Sequence, residues 1–272
     1  MDALNLPSTL FPEVHEATQA LGTLNAGVAK TLGLPACIPV FGPVGDSQAA
    51  FLGSMAGERA GAAPAGGAFV NIGTGAQVAA RSDRFLYAPP LETRPLPGKG
   101  YLLVGAQPSG GAAYAALERF FQMVLVQFAG AAGAPPVGAL YDRMNVLAAS
   151  VPSGADGLLC RPLFWGTRAA PEVRASWIGL SSLNFTPAHL TRALLEGMVE
   201  LLREDLDRIV QATGTPLRCG VGCGNGLRKN PLLRAILAEK LGFPIAVPLC
   251  AEEAAVGAAT LAAVGTAKGS RS

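Results

Sequence analysis

The stretch Leu217-Arg218-Cys219-Gly220-Val221-Gly222-Cys223-Gly224-Asn225-Gly226 reads as a buried strand that runs into a glycine loop. Asn230-Pro231 follows as an N-cap and first-turn pair, and Leu232, Leu233, Ile236, Leu237 and Leu241 then fall on one helical face. Four glycines in seven residues let backbone come within contact distance of a flat or phosphorylated ligand, because no Cβ intervenes and positive φ costs little. A plain tight turn between strand and helix would use the same residues, so the rest of the chain has to decide.

A second glycine segment lies upstream. Residues 68–72 and 76–80 read as two strands of a hairpin whose tip is Gly73-Thr74-Gly75. Such a tip offers successive backbone N–H groups and one hydroxyl, the donors a phosphate oxygen needs, although an unliganded hairpin would also place glycine there. Further upstream, a short strand at 38–41 leads through Gly42-Pro43-Val44-Gly45-Asp46 into a helix of small residues over 47–56. Asp46 therefore stands at a strand-to-helix junction, where capping the helix is its simplest role.

The remaining elements follow from period and punctuation. Residues 1–36 read as loop and short helices broken by Pro7, Pro12 and Pro35, and 57–67 as a Gly/Ala-rich connection. A third strand is expected at 101–104, helices over 112–129 and 137–149, and a strand-like run over 158–164. Residues 165–185 look irregular. Thr186-Pro187 then opens a helix whose apolar stripe leaves Glu196 and Glu200 to solvent and puts His189 in an exposed first turn. A strand at 244–248, a helix over 252–264 and a disordered tail at 268–272 complete the chain.

Composition narrows the function. With 272 residues, half of them hydrophobic, the chain has ample material for a core. A net charge of +2 with 15% charged residues supplies no basic field for nucleic acid or a membrane surface. The most apolar tract, 120–134, contains Gln122 and Gln127 and is shorter than the roughly 20 residues a membrane span needs. The start has no secretory pattern, and five scattered cysteines fit reduced thiols, so the expected location is cytoplasmic. Cys219 and Cys223 lack a nearby histidine, and no metal-ligand set is read. A Rossmann reading fails on the third glycine of its fingerprint, and no Walker A sequence is present.

Three stretches together resemble the FGGY carbohydrate kinases: Gly45-Asp46-Ser47-Gln48-Ala49-Ala50, Asn71-Ile72-Gly73-Thr74-Gly75, and Gly222-Cys223-Gly224-Asn225-Gly226 through Asn230-Pro231. They occur in the family's order. Support comes from Gly154-Ala155-Asp156-Gly157-Leu158-Leu159, from residues 190–198, and from 252–259. Gly166-Thr167-Arg168 with Pro171, and Asn184-Phe185-Thr186-Pro187, look most like the sedoheptulokinase-like branch. The fold implied is α/β, of the actin-like ATPase (ribonuclease H-like) type, with residues 1–63 as the end of the first lobe and 64–272 as the nucleotide-binding second lobe.

The resemblance implies transfer of the γ-phosphoryl group of ATP, with Mg²⁺, to a hydroxyl of a sugar or polyol. By position, Asp46 matches the catalytic base and Ser47 a residue beside the polyol. Gly73, Thr74 and Gly75 match a phosphate loop, Gly111 a nucleotide contact at a helix start, and Gly224, Asn225 and Gly226 the adenosine loop. The helix beginning near Ala112 is expected to aim N–H groups at the same phosphates. Asn225 stands where glycine is usual, and Lys229 where glycerol kinases place an asparagine. The first lobe's own phosphate loop and its metal-linked aspartate are expected upstream of Met1. The implied partners are therefore the substrate, ATP, and a separate N-terminal lobe or a second copy. The alternative is a non-catalytic nucleotide-binding or interaction module on the same fold.

Overall fold

In a computed structural model, the structure describes residues 7–56, 66–98, 100–130, 135–136, 138–248 and 250–269. By its contacts the chain divides into two units, one of Met1–Ala56, Leu96–Lys99 and Glu252–Ser272, the other of Gly57–Pro95 and Gly100–Ala251. The expected connection at 57–67 lies almost entirely outside the described residues, as does the boundary expected at 63/64.

The first unit opens with a 3₁₀ turn at Ser8–Leu10, followed by β1 (Ala20–Thr23), α1 (Ala26–Leu32), β2 (Pro39–Phe41) and α2 (Asp46–Ala56). β1 and β2 pair antiparallel with a register shift between Ala20 and Gly22. Strand β1 departs from the loop-and-helix reading of 1–36. Its four residues are all exposed, so there is no alternation of burial for a sequence pattern to report.

The second unit is built on a six-stranded sheet. In chain order its elements are β3 (Gly67–Ile72), β4 (Ala76–Ser82), β5 (Glu92–Pro95), β6 (Tyr101–Gln107), α3 (Gly111–Ala129) and α4 (Tyr141–Ala149). After them come β7 (Leu159–Arg161), β8 (Ser176–Ile178), α5 (Pro187–Thr213), β9 (Cys219–Cys223), α6 (Asn225–Lys229), α7 (Pro231–Leu241) and β10 (Ile245–Ala246). The sheet order is β10-β9-β3-β4-β6-β5. β10, β9 and β3 run parallel, whereas β4, β6 and β5 continue as antiparallel neighbours. β5 and β8 lie in segments that read as irregular. β5 is an edge strand that carries Pro95, a residue tolerated at an edge because no ladder N–H is needed there. β8 pairs only with the three residues of β7.

Helix α5 is the keel of this unit. Thr186 caps it, Pro187 takes its first turn, and Gly214 ends it in the left-handed region, as the sequence signals require. It packs on β4, β6 and β7 and against α3, α4 and α7. Leu194, Met198, Leu202 and Ile209 thereby join Val70, Ile72, Val78 and Leu103 in one core. Being enclosed on so many sides, α5 buries charge as well. Glu196, expected at the surface, is 7% exposed and accepts hydrogen bonds from Arg192 Nε (2.6 Å) and the Gly154 N–H (3.0 Å). Glu200 does reach solvent, where its hydrogen bond from Arg203 holds its carboxyl below the usual range.

Three groups at the start of α5 also fasten the turn before β7. Ala155 and Asp156 carry φ of 45° and 49°, a costly conformation for residues other than glycine. Glu196 holds the Gly154 amide, Asn184 donates to the Asp156 carbonyl (3.2 Å), and His189 Nε2 lies 3.0 Å from the Asp156 carboxylate. His189 is thus half-buried between Thr186 and Asp156 instead of being a free surface group.

The last helix, α8 (Glu253–Gly269), belongs to the first unit and extends into the expected tail as far as Gly269. It crosses α2 at very short range, since a Cβ at Gly53 would overlap the Glu253 carbonyl and one at Gly257 would overlap the carbonyl of Ala49. Among the described residues, no helix is long and apolar enough to cross a membrane.

Candidate nucleotide site

Parallel pairing of β3 with β9 brings the carboxyl ends of two central strands side by side, with Asn71 opposite Cys223. The hairpin tip Gly73-Thr74-Gly75 leaves one strand end, and Gly224 leaves the other. Ligands of open α/β sheets bind outside such strand ends.

The two segments use glycine for different reasons. At Gly73 a Cβ would meet nothing within 4 Å. Thr74 and Gly75 are exposed, and among the described residues no hydrogen bond engages their amides or the Thr74 hydroxyl. Gly224, by contrast, has φ 86° and ψ 157°, a conformation almost confined to glycine, and a Cβ there would lie 2.5 Å from the Ile72 carbonyl oxygen and 2.6 Å from Asn71 Oδ1. A Cβ on Gly226 would press on Ile72 Cγ2 at 2.6 Å, and one on Gly222 would meet Leu227 Cδ1 at 2.7 Å. These glycines admit neighbouring chain, not ligand. Residues 225–229, read as loop, form the short helix α6, which leaves Asn225 exposed at its start.

Gly111 reaches the same place, again by a different route from the one expected. Its N–H donates to the Gly73 carbonyl (2.8 Å), and the N–H of Ala112 donates to that of Thr74 (2.9 Å). The first amides of α3 are therefore spent on the back of the hairpin tip, holding its carbonyls inward. What remains for an anion is the outward set: the amides of Thr74 and Gly75 and the Thr74 hydroxyl. That donor set suits the phosphates of a nucleotide.

Sequence reasoning missed a polar tie behind the site. Tyr114 OH donates to Asn145 Oδ1 (2.6 Å), which also accepts from Asn230 Nδ2 (2.8 Å), while Asn230 Oδ1 caps α7 through the Leu233 N–H (2.9 Å). The starts of α3 and α7 are thereby fixed to α4. Burial, together with Tyr141 and Asp142, pushes the Tyr114 hydroxyl well above its ordinary value, so it acts as a donor throughout the working range. An asparagine and a tyrosine 31 residues apart give no local signal in the sequence.

Asp46 and Ser47 occupy the first turn of α2 in the first unit. Asp46 is exposed, and its carboxylate makes no hydrogen bond among the described residues, so it does not cap the helix with its side chain. Ser47 Oγ donates to Gln48 Oε1 (2.9 Å). Among the described residues no group of three or more His, Cys, Asp or Glu side chains could hold a metal ion. The residues present thus offer no cage for Mg²⁺, which nucleotide phosphates can carry in with its own water ligands.

A mixed sheet with parallel strands at its centre, a long helix across it and an anion cradle at the strand ends is the α/β architecture of the actin-like ATPase sugar kinases. A crystal structure of xylulose kinase from Rhodospirillum rubrum matches with a TM-score of 0.78 and 28% identity, covering 96% of this chain and 49% of that one. Plasmodium falciparum glycerol kinase with ADP matches in fold, with a TM-score of 0.74 at 22% identity. The C-terminal domain of the FGGY family of carbohydrate kinases matches residues 68–266, and the chain belongs to that family. Curated relatives include a glycerol kinase from Thermus brockianus, 33% identical over 96% of this chain, and one from Methylibium petroleiphilum, 30% identical over 97%. The chain spans about half the length of both. Glycerol and xylulose kinases support the family without selecting the sedoheptulokinase-like branch.

Proposed function

We propose that this chain supplies the nucleotide-gripping lobe and the acceptor-side base of an ATP-dependent kinase for a sugar or polyol hydroxyl. The observation that carries the reading is the exposed, unspent donor set of Thr74 and Gly75 at the joined carboxyl ends of β3 and β9. Gly111 fastens the tip that presents those donors, and Gly224, Asn225 and Gly226 form its neighbour on the adenosine side. ATP when bound supplies the phosphoryl group. Transfer passes through a loose transition state, so the acceptor needs orientation more than early deprotonation. Asp46, exposed and free of hydrogen bonds, suits that task and takes the proton late, with Ser47 beside the polyol.

Residues 1–63 are assigned on this reading to the end of a first lobe, and 64–272 to the second. Gly166-Thr167-Arg168, Pro171 and Asn184-Phe185-Thr186-Pro187 favour a seven-carbon ketose of the sedoheptulokinase-like branch as acceptor. Five free cysteines accord with work in the cytoplasm.

The test is calorimetric titration with ADP and ATP, followed by a coupled kinase assay on glycerol, xylulose and sedoheptulose with and without the first half of a family relative supplied. ADP binding by the chain alone and turnover only in the supplemented protein are expected. Asp46→Asn should then lower turnover by about a hundredfold or more. Nucleotide binding without turnover on any acceptor would favour the non-catalytic module, and no nucleotide binding in the supplemented protein would end the proposal.

A further inference from the structure

Helix α3 begins in the core and ends outside it. Ala113 and Leu117 are buried, but from Phe120 onward the helix is open on most sides. Phe120, Met123, Val124, Leu125 and Val126 are 37–48% exposed, and Phe128 is 87% exposed. No charged residue occurs in 120–129. An apolar groove of about 300 Å³ opens on one flank, walled by Ala116, Leu117, Phe120, Trp177, Phe185 and Leu190. Another, of about 240 Å³, opens on the other flank along Phe121, Val124 and Leu125.

We infer that this half of α3 is the contact by which two copies of the chain associate, antiparallel about a two-fold axis at Val124. Ala116, Phe120, Val124 and Phe128 are spaced by four and form one ridge along the helix. The groove walled by Phe120 and the projecting Phe128 lie eight residues apart on that ridge, about 12 Å at the helical rise. A two-fold axis midway between them sets each Phe128 against the Phe120 groove of the other copy. A patch carrying both the projection and the recess is its own complement, which is what an isologous contact requires.

Charge and area agree with that occupant. Arg119, exposed at the near end of the patch, falls opposite Ala129 of the second copy, so no like charges are apposed. A lipid surface fits less well, because a helix lying on a membrane needs a basic polar face and this one has no Lys or Arg over 120–129. With phenylalanines worth on the order of 150–250 Å² each, three of them and four aliphatic side chains at these exposures offer roughly 600 Å² per copy. Specific interfaces need about 500 Å² or more from each partner.

Sedimentation equilibrium of the full chain from about 1 to 100 μM is expected to fit a reversible dimer. Phe128→Asp should weaken it at least about tenfold while leaving the thermal melt in place, since Phe128 is 87% exposed. In a background with Cys37→Ser and Cys250→Ser, Val124→Cys should form a disulfide-linked dimer on mild oxidation, and Val146→Cys, 63% exposed on α4, should not. A monomer over the whole range, a dimer that survives Phe128→Asp, equal cross-linking from the two cysteine variants, or co-sedimentation with phosphatidylcholine vesicles in place of self-association would overturn the inference.

Discussion

The hairpin tip Gly73-Thr74-Gly75 and the segment Gly220–Gly226 look alike in sequence, and they sit on neighbouring strand ends. Their glycines nevertheless answer to different demands. At the tip the space beyond Gly73 is empty and the donors of Thr74 and Gly75 face outward unspent. Along β9 and α6, each of Gly222, Gly224 and Gly226 has side chain or backbone where a Cβ would go. One segment is glycine-rich so that something can arrive, the other so that the sheet and its helix can close. A glycine-rich loop at a strand end is therefore two kinds of object, told apart by what a methyl group would strike.

Substitutions can break or sharpen that contrast. The largest effect is expected for Gly224→Val, which combines a forbidden backbone conformation with a clash on the Ile72 carbonyl: a loss of about 3 kcal/mol or more and a fall in melting temperature of roughly 6–12 °C by circular dichroism. A fall under about 2 °C would mean the segment is not close-packed. Gly226→Ala comes next and discriminates by sign. Helix propensity alone favours alanine by about 1 kcal/mol, so a net loss of about 1 kcal/mol measures the approach to Ile72, and a gain would refute it.

Thr74→Val should leave the melt within about 0.5 kcal/mol of wild type and weaken ADP binding about five- to thirtyfold by calorimetry, the cost of one or two lost hydrogen bonds. A variant that unfolds at lower temperature but binds ADP normally would reverse the roles of the two segments. The smallest effect is expected at Gly73→Ala, within about 0.5 kcal/mol in stability, because a methyl group there meets open space and no positive φ is required.

Local signals carried much of the fold. The hairpin follows from alternation around a three-residue glycine tip, and its register, Ile72 opposite Ala76, is the one that tip length allows. Thr186-Pro187 and Asn230-Pro231 place two helix starts correctly, since capping is a contact between residues three apart. The strands β1, β5 and β8 escaped because each is three or four residues long and is defined by its partner instead of by its own pattern. Glu196 escaped for a related reason. Its i−4 partner Arg192 was legible, but only the helices and strands crowded around α5 convert that surface pair into a buried one.

The candidate site divides in the same way. Its residue types were readable because phosphate needs donors on a backbone free of side chains, and glycine and threonine in that order supply them. Read alone, however, the sequence put Gly111 and Gly224 in contact with ligand. The fold gives the Gly111 amide to the Gly73 carbonyl and the space at Gly224 to Ile72. The sequence by itself determined which segments could turn, cap and bind, since those properties reside in a few consecutive residues. Only the tertiary structure decided which glycines face a neighbour and which face open space, because that depends on what chain remote in sequence has already filled.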